Sequence, residues 1–202
     1  MDSLGDTFGG LSAVRQVEID LLTDAYRITG TLHTRFGRVT DILNQLAAEH
    51  LSIERATITE HADPSSPLAA PTAIVPVASI LLLAAPDLTG VASSDMRIQK
   101  RPVKAMFALP PVRIIGTTHV PMGSRPLDGL LNVTDRFLAI TEVTIASAAF
   151  PHLASAVEAA AVSRAKAQIL LVTDDERPDE LLADVLDERT AEAWLRSDEA
   201  QR

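Results

Sequence analysis

The amino-acid sequence predicts a mainly β fold of the α+β kind. The expected architecture is two tandem small antiparallel barrel-like modules, each strand-strand-helix-strand-strand, followed by a C-terminal helix. Three observations predict this. Residues 17–59 recur, in order, in residues 103–146. Apolar and polar residues alternate over short runs bounded by Gly, Pro and Thr, the pattern of half-buried strands. No long helical pattern separates those runs, so parallel crossovers have nothing to be built from.

The repeat is read position by position. At a shift of 86, Val17 meets Val103, Arg27 meets Arg113, Gly30 meets Gly116, Thr31 meets Thr117, His33 meets His119 and Gly37 meets Gly123. One inserted residue moves the shift to 87, where Arg38 meets Arg125, Asp41 meets Asp128, Leu43 meets Leu130 and Ile58 meets Ile145. The apolar runs Ile80 to Leu83 and Ile169 to Val172 align at a shift of 89. The chain then divides into an N-terminal extension (1–16), module 1 (17–88), a linker (89–99), module 2 (100–174) and an acidic C-terminal tail (175–202). The linker contains TGVASSD, rich in Gly and Ser.

Within module 1, residues 17–22 form the first strand, with Val17, Ile19 and Leu21 on one face. Thr23, Asp24 and Ala25 make a turn, as Pro110 and Pro111 do in module 2. The second strands run from Tyr26 to His33 and from Val112 to His119. Gly30 and Gly116 fall mid-strand and mark a bulge, a bend or a close backbone approach. A short helix follows, with Ile42, Leu43 and Leu46 at helical spacing and Thr40 as its N-cap; Pro126 fits the first turn of its counterpart. The remaining strands are expected at 53–60 and 73–84, and at 140–146 and about 160–173. In the tail, Pro178 opens a helix with Leu181, Leu182, Val185 and Leu186 along one face.

Composition narrows the function. The 202 residues contain no cysteine, which excludes disulfide scaffolds, thiolate metal sites and cysteine nucleophiles and suits a reducing, cytoplasmic setting. The N-terminus carries no basic start and no apolar run, so no secretory signal is read there. No residue between Asp63 and Asp87 is charged, yet Pro64, Pro67, Pro71 and Pro76 would break a membrane helix and point to buried strands. The net charge of −9 is concentrated: eleven acidic residues and four Arg from Asp174 onward leave −7 there and −2 for the body. A near-neutral body with 3% aromatic residues makes nucleic acid a less favoured partner than protein.

The strand carrying G-x-x-H, the R-x-x-D-x-L helix start, the T-I strand and the final I-L-L-L strand resemble an uncharacterised bacterial small β-barrel-like domain family. Its pattern is a histidine-bearing strand followed by an R-x-x-D-x-L-N helix. Asn44 completes that pattern in module 1; module 2 has Leu131 there and Asn132 one later. The resemblance covers most of residues 17–173 and implies no established activity. A weaker likeness is to Sm-like barrels, through PVASILLLAAP, although the Arg-Gly of an Sm-like RNA pocket is missing.

Two candidate sites emerge. A repeated polar set, His33, Arg38 and Asp41 with His119, Arg125 and Asp128, would form either a ligand or proton-transfer pocket or, the favoured reading, a network fastening loop to helix. A basic patch, Arg97, Lys100, Arg101 and Lys104, would meet phosphates or simply face solvent. No metal-ligand spacing, nucleophile elbow or phosphate-binding glycine loop occurs, so no catalytic, metal or cofactor residue is assigned. The expected function is a non-enzymatic assembly, adaptor or regulatory protein working through protein partners or self-association. The alternatives are an Sm-like nucleic-acid binder and a small-ligand sensor or enzyme using the His-Arg-Asp sets.

Overall fold

The structure, a computed structural model, describes residues 13–46, 48–88, 99–132 and 134–173. Arg97, the greater part of the N-terminal extension and linker, and the acidic tail with its expected helix lie outside these residues. These residues form ten strands and two six-residue helices: β1 (Arg15–Thr23), β2 (Tyr26–Thr34), α1 (Val39–Asn44), β3 (His50–Glu60), β4 (Leu68–Pro76), β5 (Ile80–Ala84), β6 (Lys100–Leu109), β7 (Val112–Pro121), α2 (Pro126–Leu131), β8 (Phe137–Ala146), β9 (Ser155–Ser163) and β10 (Ile169–Thr173). No helix among the described residues is long and apolar enough to cross a membrane.

All ten strands belong to one antiparallel sheet ordered β10-β6-β7-β8-β9-β5-β1-β2-β3-β4. The sheet is open, with β10 and β4 at its ends, so the expected barrel closure is absent. Each half contributes five strands rather than four. The run read as one strand over 73–84 breaks at Pro76 and a 3-10 turn, Val77–Ser79. That turn sends β4 and β5 to opposite sides of their half. Residues 160–173 divide likewise into β9 and β10. Both halves then share one order, with the fifth strand beside the first and the fourth at the far end.

The β1–β2 turn follows from Thr23, whose Oγ1 accepts the amides of Ala25 and Tyr26 at 3.4 and 3.0 Å. Its counterpart is the cis Pro110–Pro111 peptide between β6 and β7. Helix α1 starts one residue before the expected cap: the N-cap position is Arg38, which caps with no side-chain bond, and Thr40 lies inside the helix. Pro126 stands in the first turn of α2, where its missing N–H costs nothing.

The halves interlock. Leu22, Leu81, Leu82 and Ala84 of the first half pack into the core built around Phe107, Ile114 and Leu138 of the second. In return Phe137 and Ala161 enter the core around Leu21, Leu43 and Ile53. Helix α1 bridges the two halves, with Val39, Ile42 and Leu43 in the core of its own half. It lies against β8 and β9, where Asn44 Nδ2 donates to the Phe137 carbonyl and Asn44 Oδ1 accepts the Phe137 amide, both at 2.9 Å. Arg136 adds a bond from Nη2 to the Leu43 carbonyl at 2.9 Å. A second seam brings the His61 ring to Phe150, with centroids 5.7 Å apart.

His61 gives this seam a pH dependence. The ring is buried, and its Nε2–H donates to the Thr23 carbonyl at 3.1 Å, leaving Nδ1 without a partner. Burial lowers its pKa below 6.5; His152 and Arg27 push the same way, against the opposing effect of the Thr23 bond. The neutral ring is thus the native form, and protonation would create a buried donor with nothing to accept it. The unfolded chain binds the extra proton first, so stability is complete above 6.5 and declines as pH falls below it. Thermal unfolding midpoints should drop across that window, and less so in a His61→Met chain. Equal slopes in the two chains would assign the acid sensitivity elsewhere.

Candidate functional site

The two mid-strand glycines mark the feature that organises each half's surface. Opposite Gly30, the β2–β3 register shifts between Thr29 and Thr31; opposite Gly116, the β7–β8 register shifts between Ile115 and Thr117. Two residues of the third strand there face one of the second, which is a β-bulge. The bulged residues, Arg55 and Glu142, take left-handed φ values of 50° and 53°. A Cβ on Gly30 would come within 2.7 Å of the Glu54 carbonyl oxygen, and one on Gly116 within 2.7 Å of that of Thr141. Only glycine lets the strands approach this closely.

Each bulge aims a charged side chain back across the sheet. Arg55 reaches the Thr31 hydroxyl, which donates to Glu18 Oε1 at 3.0 Å, and Arg55 Nη2 lies 3.4 Å from the same carboxylate. In the second half Glu142 Oε2 accepts from Thr117 Oγ1 at 2.8 Å and from Lys104 Nζ at 2.9 Å. Glu18 and Lys104 stand 86 apart, as do Thr31 and Thr117, while Arg55 and Glu142 stand 87 apart. The triangle is the same in both halves and both charges are reversed. Lys104 and Thr117 hold the Glu142 carboxyl below its usual range, so it stays ionised and paired rather than poised to take a proton.

The expected His-Arg-Asp sets are not assembled. His33, exposed at the end of β2, meets Glu54 of β3 at 3.1 Å instead. The Arg38 and Asp41 backbone carbonyls accept from Ile42 of α1 and from Gln45 just after it, and those of Arg125 and Asp128 from Gly129 of α2 and from Asn132 just after it. Among the described residues no hydrogen bond joins the three side chains of either set. Alternation along β2 puts His33 on the exposed face, opposite Leu32, which packs into the core with α1. His33→Gln is therefore expected to cost no more than about 1 kcal/mol, the range of exposed ion pairs, as denaturant unfolding would show. A larger loss would reveal a network beyond the Glu54 contact.

The basic patch is likewise divided. Lys100 and Lys104 lie on the exposed face of β6, whereas Arg101 alternates to the other face and donates to the Ser124 carbonyl at 3.3 Å. Lys104 is tied to Glu142. His119 does line a shallow groove of about 430 Å³ with Lys104, Thr117, Thr141 and Glu142. No group of three metal-ligating side chains occurs among the described residues.

The sheet ends present a second kind of surface. Ile169 and Leu171 on β10 are 49% and 43% exposed, and Ile74 on β4 is 61% exposed. Met122, Leu127 and Leu131, before and on α2, are exposed as well. Fold and surface together define a mainly β protein with one open ten-stranded sheet, apolar residues at both edges and a sign-inverted ion-pair triangle on each half. No protein-family model matches the chain, and neither curated proteins nor solved structures yield a match.

Proposed function

We propose that this is a non-enzymatic assembly, adaptor or regulatory protein of the cytoplasm that acts through protein contacts at its sheet edges. The observation that carries this reading is the exposure of Ile169 and Leu171 on β10 and of Ile74 on β4. Isolated apolar residues on a surface are ordinary, but apolar side chains on open strand edges offer both backbone hydrogen bonds and burial to another strand. The halves are read as tandem copies of the bacterial domain whose motif the sequence resembles, and their shared strand order supports this.

Light scattering during size exclusion tests the reading, with absorbance followed at two wavelengths to register nucleic acid. A salt-stable mass above 21.6 kDa without nucleic acid supports it. A chain that stays at 21.6 kDa at every concentration removes self-association, and a salt-sensitive nucleic-acid signal replaces the reading with the Sm-like one. The groove beside His119 favours a second reading, a small-ligand site. A His119→Gln chain of unchanged stability that loses a bound small molecule would establish it.

A further inference from the structure

The two halves meet through unlike edges. β5, the fifth strand of the first half, pairs with β9, the fourth strand of the second. Their ladder sets Leu82 opposite Val162, Leu83 opposite Ala161 and Ala84 opposite Ala160. The edges left open are the complementary two: β4, a fourth strand, and β10, a fifth strand.

Registers within each half establish which residues correspond. Ile53 pairs with Ala73 as Ile140 pairs with Ala160, a shift of 87 on both strands. Asp20 pairs with Ala84, and Met106, 86 residues after Asp20, pairs with Leu171, 87 residues after Ala84. The alignment of the last strands at 89 is therefore corrected to 87. It had matched apolar letters, whereas the ladder matches positions. With that correction Leu82 corresponds to Ile169, Ala84 to Leu171, Ala161 to Ile74 and Val162 to Val75.

Burial then separates the two ends from the joint. Leu82, Ala84 and Ala161 are 1%, 2% and 0% exposed, because each crosses the joint into the other half's core. Their counterparts Ile169, Leu171 and Ile74 are 49%, 43% and 61% exposed. Positions that face a core across the internal joint face solvent at the outer edges, and all three are apolar there. Leu170 and Val172, the alternate residues of β10, pack against their own half's core, as do Leu83 and Ala85.

We propose that β10 of one copy pairs antiparallel with β4 of a second copy of this chain, head to tail. The pairing sets Ile169 opposite Val75, Leu170 opposite Ile74 and Leu171 opposite Ala73. This rests on the assembly reading and specifies its partner and polarity. The occupant is a copy of the chain because the internal joint already shows one half seated against the other through these two strand types. Helix α2, with Leu127 and Leu131 exposed, takes the place at this outer joint that α1 holds at the inner one. The replica is not complete: Leu131 stands where Asn44 makes its two bonds, so apolar contact replaces the amide clamp. A joint between unlike surfaces leaves each new copy with a free edge of each kind, and it propagates as a ring or a filament.

The absence of cysteine makes the test clean, since introduced thiols are the only ones in the chain. Ala73→Cys and Leu171→Cys are made separately, one chain carrying a tag that changes its size. Residues directly opposite in an antiparallel pair lie close enough for a disulfide. On oxidation of the mixture, the unlike pair should cross-link and neither chain should cross-link to itself. A chain bearing both should give a ladder of multiples of 21.6 kDa. In a second variant, Leu171→Glu, a charge on an exposed side chain leaves folding intact and should return the mass to 21.6 kDa. Self-cross-linking of either single variant would show like edges meeting; that overturns this inference while the assembly reading survives. A wild-type mass of 21.6 kDa, with the thiols of both variants staying free, overturns this inference and removes self-association from the assembly reading, as when the chain's own tail covers β10.

Discussion

Leu82→Ala should destabilise the whole protein by about 2–5 kcal/mol, with both halves unfolding in the same transition. Leu82 is 1% exposed on β5, paired with Leu22 of β1 on one side and Val162 of β9 on the other. Truncation removes apolar contact and leaves a cavity that the flanking ladders prevent from collapsing. Leu82 belongs to the first half by sequence and to the second half's core by packing, so the damage falls on both. Hydrogen exchange of β2 and β7 amides through a denaturant series would test this. The two sets should lose protection together and at lower denaturant than in the wild type. Loss in β7 alone would mean that the interlocked cores do not make one cooperative unit.

Gly116→Val should cost at or above the upper end of the roughly 1–3 kcal/mol typical of overpacking. The first added atom would sit 2.5 Å from Ile140 Cγ2 and 2.7 Å from the Thr141 carbonyl oxygen. A side chain can rotate away, but the Thr141 carbonyl is part of the backbone at the bulge. The clash is relieved only by undoing the register shift that places Glu142 against Thr117 and Lys104. Gly37→Ala, where nothing lies within 4 Å of the new atom, is the matched control and should be close to neutral. A stability loss for Gly116→Val no larger than the control's would mean that the strands separate there without penalty.

Much of the strand content was legible because it depends on alternation. Val17, Ile19 and Leu21 mark the buried face of β1, and the turns at Thr23–Ala25 and Pro110–Pro111 stand where their chemistry predicts. The division of 73–84 was not legible, because the run is strongly apolar on both sides of Pro76 and Ser79 and reads as one strand. Where β5 goes was written in ILLLA, whose five buried residues show no alternation, the mark of a strand covered on both faces. Barrel closure was the wrong expectation, and of the readings open at Gly30 and Gly116 the bulge, in an open sheet, is the one that holds.

The site was less legible for a geometric reason. His33, Arg38 and Asp41 are close in sequence, but strand alternation and the start of α1 separate them. Glu18, Thr31 and Arg55 are distant in sequence and meet only through the registers of three neighbouring strands. Thr31 and Thr117 did appear as matches in the repeat. Their charged partners did not, since a comparison that rewards identity discards Glu18 against Lys104 and Arg55 against Glu142. A pair of positions that exchange sign together was the signal available.

That reversal bears on how the chain avoids mispairing with itself. Two halves with the same strand order invite exchange during folding, with β6 settling beside β2 or β1 beside β7, a characteristic failure of tandem domains. In the first error Lys104 would face Arg55, and in the second Glu18 would face Glu142. Like charges set together across strands oppose pairing, while each native triangle joins opposite ones. The inverted triangles thus give each first strand a charge that matches its own half and opposes the other.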